Sequence, residues 1–248
     1  MMMNSHVSRS HDRFATTRWS VVLRLADTNL PRARDALSDL AQRYWYPVYA
    51  FVRRCGHAPP AAAKATDNLL RRLVADSGSA PQQVATGHYR SYLLGRVQAF
   101  RDADWTLASA APGEAETVEL APPPAIESRF LRDHLVESTP EQAFQRSFAL
   151  VVLHRTLRRL RDEAAETGRA DLCRALEPFL VRDPQDSEFE RLAAQLRCRK
   201  VTLIVALKRL RQRLRELAAE ELSDTVSSAD DLASEQSELL DILGEITA

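Results

Sequence analysis

Residues 188–217 read EFERLAAQLRCRKVTLIVALKRLRQRLREL, and this stretch decides the fold. Phe189, Leu192, Ala193 and Leu196 recur at helical spacing, and so do Leu203, Ala206, Leu207 and Leu210. Two amphipathic helices, Glu188–Leu196 and one from about Arg199 to Leu222, are therefore expected to face each other across a short turn. That is the spacing of a helix-turn-helix. The second helix then presents Arg199, Lys200, Thr202, Lys208, Arg209 and Arg211 outward, where a DNA major groove could receive them. The turn carries Arg197-Cys198 where a glycine is usual, and Val201 and Ile204 are apolar where a reading helix normally offers polar atoms. A helical hairpin packing its apolar stripe on a partner protein is the alternative.

Outward from that stretch the charge pattern is polarised. Arg191, Arg197, Arg199, Lys200, Lys208, Arg209, Arg211, Arg213 and Arg215 lie between 191 and 215 without one acid among them. From Glu216 to Ala248 there are ten acidic residues and no basic one. A basic block followed by an acidic one suits a polyanion-binding surface with an acidic tail behind it. The tail is expected either to compete for those cations or to pack as a helix through Leu232, Leu239, Leu240, Ile242 and Leu243.

The whole chain has 248 residues, 34 basic against 34 acidic, with 45% hydrophobic and 27% charged side chains. This excludes a disordered or collagen-like chain and leaves room for two small cores. The longest uncharged apolar runs, 148–153 and 201–207, fall far short of the roughly 20 residues of a membrane span. The polar opening, 1–13, does not resemble a signal peptide, and Cys55, Cys173 and Cys198 suit neither a disulfide framework nor a zinc site. A cytoplasmic protein with reduced thiols is the expectation. No histidine falls in ligand spacing with Cys, Asp or Glu, and there is no Gly-rich phosphate loop or nucleophile elbow. Neither a metal, a cofactor nor an enzymatic activity is expected.

Apolar spacing predicts further helices over Arg32–Arg54, with Pro47 kinking or dividing it, then over Ala61–Ala75, about His88–Trp105, Phe144–Leu160 and Asp171–Val181. Thr16-Thr17 ahead of Trp19 reads as a helix cap, 77–87 as a loop, and Thr139-Pro140-Glu141 as a second cap. Residues 109–128, SAAPGEAETVELAPPPAIES, hold four prolines, four glutamates and no basic residue, as an extended tether would. No strand pattern persists. The expected class is all-α, with two small helical bundles on a Pro/Glu-rich linker: leader 1–12, first bundle 13–108, linker 109–135, helix-turn-helix bundle 136–222 and acidic tail 223–248.

Several of these segments, in order, resemble the RNA polymerase sigma factors of the extracytoplasmic-function type. They are Thr16-Thr17-Arg18-Trp19-Ser20-Val21-Val22, Tyr44-Trp45-Tyr46-Pro47-Val48-Tyr49-Ala50-Phe51-Val52-Arg53-Arg54, Gly56-His57 and Tyr89-Arg90-Ser91-Tyr92-Leu93-Leu94. Thr139-Pro140-Glu141, Gly168-Arg169-Ala170-Asp171-Leu172 and Glu177-Pro178-Phe179-Leu180 continue the series. The resemblance implies a region-two-like bundle that docks on RNA polymerase core and opens promoter DNA, and a region-four-like domain that reads duplex DNA. An anti-sigma or other regulatory protein is a further implied partner. The helix after Gly56-His57 would contact polymerase through Asp67, Asn68 and Leu70. Lys64 stands where the family carries an acid, the family's aromatic is absent, and Asp102–Ala110 is nearly free of positive charge. These departures imply the rival reading, a degenerate sigma-like adaptor that has lost promoter opening.

Overall fold

The computed structural model describes residues 30–75, 88–102, 126–133, 138–223, 225–226 and 228–247. Among them are nine α-helices and no strand: α1 Leu30–Arg54, α2 Pro59–Ala75, α3 Tyr89–Asp102, α4 Ile126–Asp133, α5 Pro140–Glu166, α6 Ala170–Leu176, α7 Asp186–Gln195, α8 Lys200–Ser223 and α9 Ala229–Thr247. A single 3-10 turn, Glu177–Phe179, follows α6. The all-α class follows, and no described helix is long and apolar enough to cross a membrane. The leader 1–12, the Thr16-Thr17 cap and the loop 77–87 lie outside the described residues.

The chain divides into two compact units, 1–151 with 222–248, and 152–221. The division differs from the expected 13–108 and 136–222 because both long helices, α5 and α8, carry a boundary in their interior. The second unit is thus an insertion between two parts of the first.

In the first unit α1 is the central helix. Every residue from Arg43 to Val52 is buried, and a helix apolar on all sides must be enclosed by its neighbours. It runs unbroken through Pro47, whose missing N–H leaves the Arg43 carbonyl without its helical donor. Gly56, at φ +96°, ends the helix in a backbone conformation that favours glycine. The core is aromatic: Tyr44 stacks on Phe148 at 5.2 Å and meets Tyr89 edge-on at 5.0 Å, while Trp45 stacks on Tyr49 at 5.2 Å. At the start of α5 the expected cap is present. Thr139 N donates to Gln142 Oε1 at 2.9 Å and Gln142 N donates to Thr139 Oγ1 at 3.2 Å, with Pro140 opening the helix.

Two segments depart from the sequence reading. Residues 126–133 of the expected linker 109–135 form α4, docked on α1, and the remainder of the linker lies outside the described residues. Its Phe130 is buried beneath the guanidinium groups of Arg53 and Arg54, 5.1 and 5.6 Å from the ring. Tyr46 donates to Asp133 at 2.7 Å, Tyr49 to Glu127 at 2.5 Å, and Arg53 to Glu127 at 2.7 and 3.1 Å. Low apolar content argued for a tether, but one aromatic and two carboxylates suffice for docking when the facing helix supplies two tyrosines and two arginines.

The acidic tail is not a loose counter-charge behind the basic helix. It is α9 of the first unit, with Leu239 buried, Leu232, Ile242 and Leu243 half-buried, and Leu240 exposed. Tyr89 N donates to Thr225 O at 2.9 Å, beside an isolated bridge between His88 and Val226. Glu235 is buried against α3, where Arg90 donates to it through Nε and Nη2, each at 2.8 Å, and Glu238 joins the same guanidinium. Of the tail's acids Glu235 is buried, and α3 supplies the cation that a buried carboxylate needs.

Candidate nucleic-acid interface

The second unit is built on Leu160, Ala164, Cys173, Leu176, Phe179, Leu180, Phe189, Leu203, Leu207 and Leu217, which form one continuous apolar cluster. Helix α5 ends at Gly168, φ +68°, with Arg169 N donating to Ala164 O at 2.7 Å and Gly168 N to Ala165 O at 3.1 Å. These paired bonds are the Schellman arrangement, and glycine is the residue it favours. Helix α7 ends in the same way without a glycine. Cys198 N donates to Ala193 O at 3.0 Å, Arg197 N to Ala194 O at 3.3 Å, and Arg197 takes the left-handed position at φ +51°. The missing turn glycine is thus met by an arginine under backbone strain, and the turn still closes.

The start of α7 is fixed by a capping box between Gln185 and Glu188, with Gln185 N donating to Glu188 Oε2 at 2.8 Å. Arg182 adds two bonds to the same carboxylate, at 2.8 and 2.9 Å. The arginine first, and the backbone N–H after it, hold the Glu188 carboxyl down to about 2.

Helix α8 is anchored by Leu203 and Leu207, both buried, with Ala206 and Leu210 half-buried beside them. The six expected DNA-facing residues separate into two groups. Arg199, Thr202, Lys208 and Arg209 are exposed, and among the described residues Arg199, Lys208 and Arg209 make no ion pair. Lys200 instead reaches back to α7, 2.9 Å from Asp186 Oδ1 and 3.9 Å from Glu190 Oε1. Arg211 is an internal tie: it donates to Phe179 O at 2.8 and 3.1 Å and to Arg182 O at 2.6 Å, and pairs with Asp183 at 2.8 Å. These bonds satisfy carbonyls around the 3-10 turn that have no helical donor. Arg213 is likewise engaged, with two 2.8 Å bonds to Glu163 and one of 3.1 Å to Glu216.

Sequence reasoning placed Arg197 in the basic block but not among the residues facing DNA, and did not single out Arg169 at all. Both are exposed and, like Arg199, have no ion pair among the described residues. Arg197 could have been found in the sequence from its place in the turn. Arg169 could not, because only packing brings the start of α6 beside α8. Between them an open groove of about 640 Å³ is lined by Leu160, Leu172, Val201, Val205 and Leu210, with Arg169 and Arg209 at its rim.

The three expected polymerase contacts sit in the first unit. Leu70 is buried in the core, at 2% exposure. Asp67 is half-buried and accepts the Trp45 indole N–H at 2.6 Å. Burial raises its carboxyl above the ordinary value, with Trp45 and Arg71 acting against that rise. Asn68 is half-buried and Lys64 is exposed. The packing of α2 on α1 therefore uses Leu70 and Asp67 internally.

One further cluster has the residue types of a metal site: His88, Glu235 and Glu238 bring ligand atoms within 4.8 Å of one another. His88 Nδ1 lies 2.6 Å from Glu235 Oε2 and its Nε2 3.9 Å from Asp231. Arg90 sits on both glutamates and already supplies the positive charge, so the arrangement is that of a buried salt-bridge network. Set against protein-family models, curated proteins and solved structures, the chain matches none, so its own residues carry the functional reading.

Proposed function

We propose that this chain is a sigma-factor-like transcription protein that binds promoter-type duplex DNA through α7 and α8 and associates with RNA polymerase core in the cytoplasm. The observation that carries the reading is the outward face of the helix-turn-helix. Four cations, Arg197, Arg199, Lys208 and Arg209, stand exposed and without carboxylate partners among the described residues, whereas Lys200, Arg211 and Arg213 are occupied within the unit. Unpaired cations are the groups that can displace counterions from DNA phosphates, whereas paired ones would first have to break an existing bond. The chemistry is recognition, with no catalytic step. Fluorescence anisotropy with duplex DNA at several salt concentrations tests it, together with co-purification with core polymerase. The expected result is binding that weakens steeply with salt. Salt-independent binding, or none, would overturn it.

A second reading is favoured by the first unit. Leu70 and Asp67 serve internal packing, so two of the three residues expected to meet polymerase are already in use. On this reading the protein is a sigma-like adaptor that needs another protein to open a promoter. Permanganate footprinting with core polymerase separates the two: unaided opening supports the first, and polymerase binding without opening supports the second.

A further inference from the structure

The exposed turn of α8 combines residue types that a DNA-reading helix rarely shows. Val201 is 68% exposed, Ile204 45% and Val205 43%, at i, i+3 and i+4 on one face, and Thr202 lies among them. Leu203, the remaining residue of that turn, is fully buried. The unpaired cations flank the apolar trio, with Arg199 before it and Lys208 and Arg209 after it. Nine positions of helix rise span about 14 Å, close to the roughly 12 Å width of a major groove. Cations so spaced can reach phosphates on the two sides of a groove while the trio between them meets the base edges.

Each base pair offers its own groups in that groove. Guanine is read by Arg or Lys, adenine by Asn or Gln, and cytosine by an acidic side chain, while apolar side chains meet the C5-methyl of thymine. Residues 201–205 contain none of the first three kinds and three branched apolar side chains on the exposed face. Resting on the DNA-binding reading above, we propose that α8 recognises thymine C5-methyl groups in the major groove through Val201, Ile204 and Val205, and so selects a thymine-bearing duplex. The phosphate contacts of Arg199, Lys208 and Arg209 hold the helix in register. The neighbouring groove beside Val201 and Val205 leaves room for a methyl group to be enclosed on more than one side.

The test selects duplexes from a random library with the full chain, then replaces thymine by deoxyuridine in the selected duplex, which removes the methyl and leaves pairing and charge intact. The expected result is thymine at fixed positions and a loss of roughly fourfold in affinity for each methyl read, the factor that follows from about 0.8 kcal/mol per buried methyl group. The slope of log affinity against log salt should not change, because every phosphate keeps its cation. The variant V201S/I204S/V205S, altered only at exposed positions and checked for helicity by circular dichroism, should bind the thymine and deoxyuridine duplexes alike. A selected duplex indifferent to deoxyuridine overturns this proposal and leaves DNA binding standing. A triple variant that keeps the wild-type sensitivity also overturns it, and leaves the apolar face to a protein partner. Failure to bind any duplex overturns the DNA-binding reading and this proposal together.

Discussion

Arg90 of α3 and Glu235 of α9, 145 positions apart in the chain, form a buried two-pronged ion pair, with Nε and Nη2 each 2.8 Å from a carboxylate oxygen. Both side chains are almost fully enclosed, and the pair ties the C-terminal helix to α3 within the first unit. Removing Arg90 leaves Glu235 with only His88, and removing Glu235 leaves Arg90 with Glu238 and Gln145, in a site nearly closed to water. Arg90→Ala or Glu235→Gln is therefore expected to destabilise the protein by about 3–5 kcal/mol. Arg90→Met combined with Glu235→Leu should recover much of that loss, because an apolar pair of similar volume needs no desolvation. Urea denaturation of the single and double variants, read as a double-mutant cycle, checks both statements.

Deleting 223–248 takes Val226 and Leu239 out of the core and strips Arg90 of both glutamates. The expected outcome is a lower melting temperature with DNA affinity unchanged per folded molecule, since Glu235 and Glu238 already have their partner on α3. Anisotropy and thermal unfolding on the same samples measure the two effects. A truncated chain that melts like the full one would show that α9 adds nothing to the fold.

Arg197→Gly should stabilise the helix-turn-helix unit. A non-glycine residue at φ +51° costs about 1–2 kcal/mol, and the added freedom of the unfolded chain returns about 0.4–1 kcal/mol of that. A net gain of about 0.5–1 kcal/mol is expected from denaturant midpoints. Arg197→Ala, which keeps the strain, should not show it.

The cations of α8 should differ in kind. Replacing Arg199, Lys208 and Arg209 by Ala should flatten the salt dependence of DNA affinity by about 0.9 for each phosphate no longer neutralised, about 2.7 in all, with little effect on folding. Arg211→Ala should instead lower stability, because it orphans the carbonyls of Phe179 and Arg182. Salt titrations and unfolding curves separate the two outcomes.

Glu188 sets a pH limit on the start of α7. Its folded-state value, about 2, lies below the ordinary glutamate range, so its stabilisation is complete above about pH 4.3. The stabilisation is lost as the pH falls through the folded value. Carbon-13 NMR of the side-chain carboxyl should report the low value, and Arg182→Ala should bring it back toward the ordinary one.

What is local could be read from the residues alone. Helix positions, the Thr139 cap and the facing of α7 and α8 follow from apolar spacing and residues within a few positions of each other. The exposure of Arg199, Thr202, Lys208 and Arg209 was legible for the same reason: once Leu203 and Leu207 are buried, helical periodicity turns these residues outward. How charges far apart in the chain pair depends on the packing of the helices. A linear basic block beside a linear acidic block suggested competition for the same cations. Folding paired Arg213 with Glu216 and Glu220 as that pattern suggests, but it gave Glu235 to Arg90, Glu127 to Arg53 and Asp183 to Arg211, and made a docked helix of residues 126–133 of the supposed linker. Burying a carboxylate is costly unless a cation meets it with good geometry, and which cation does so depends on the fold rather than on distance along the chain.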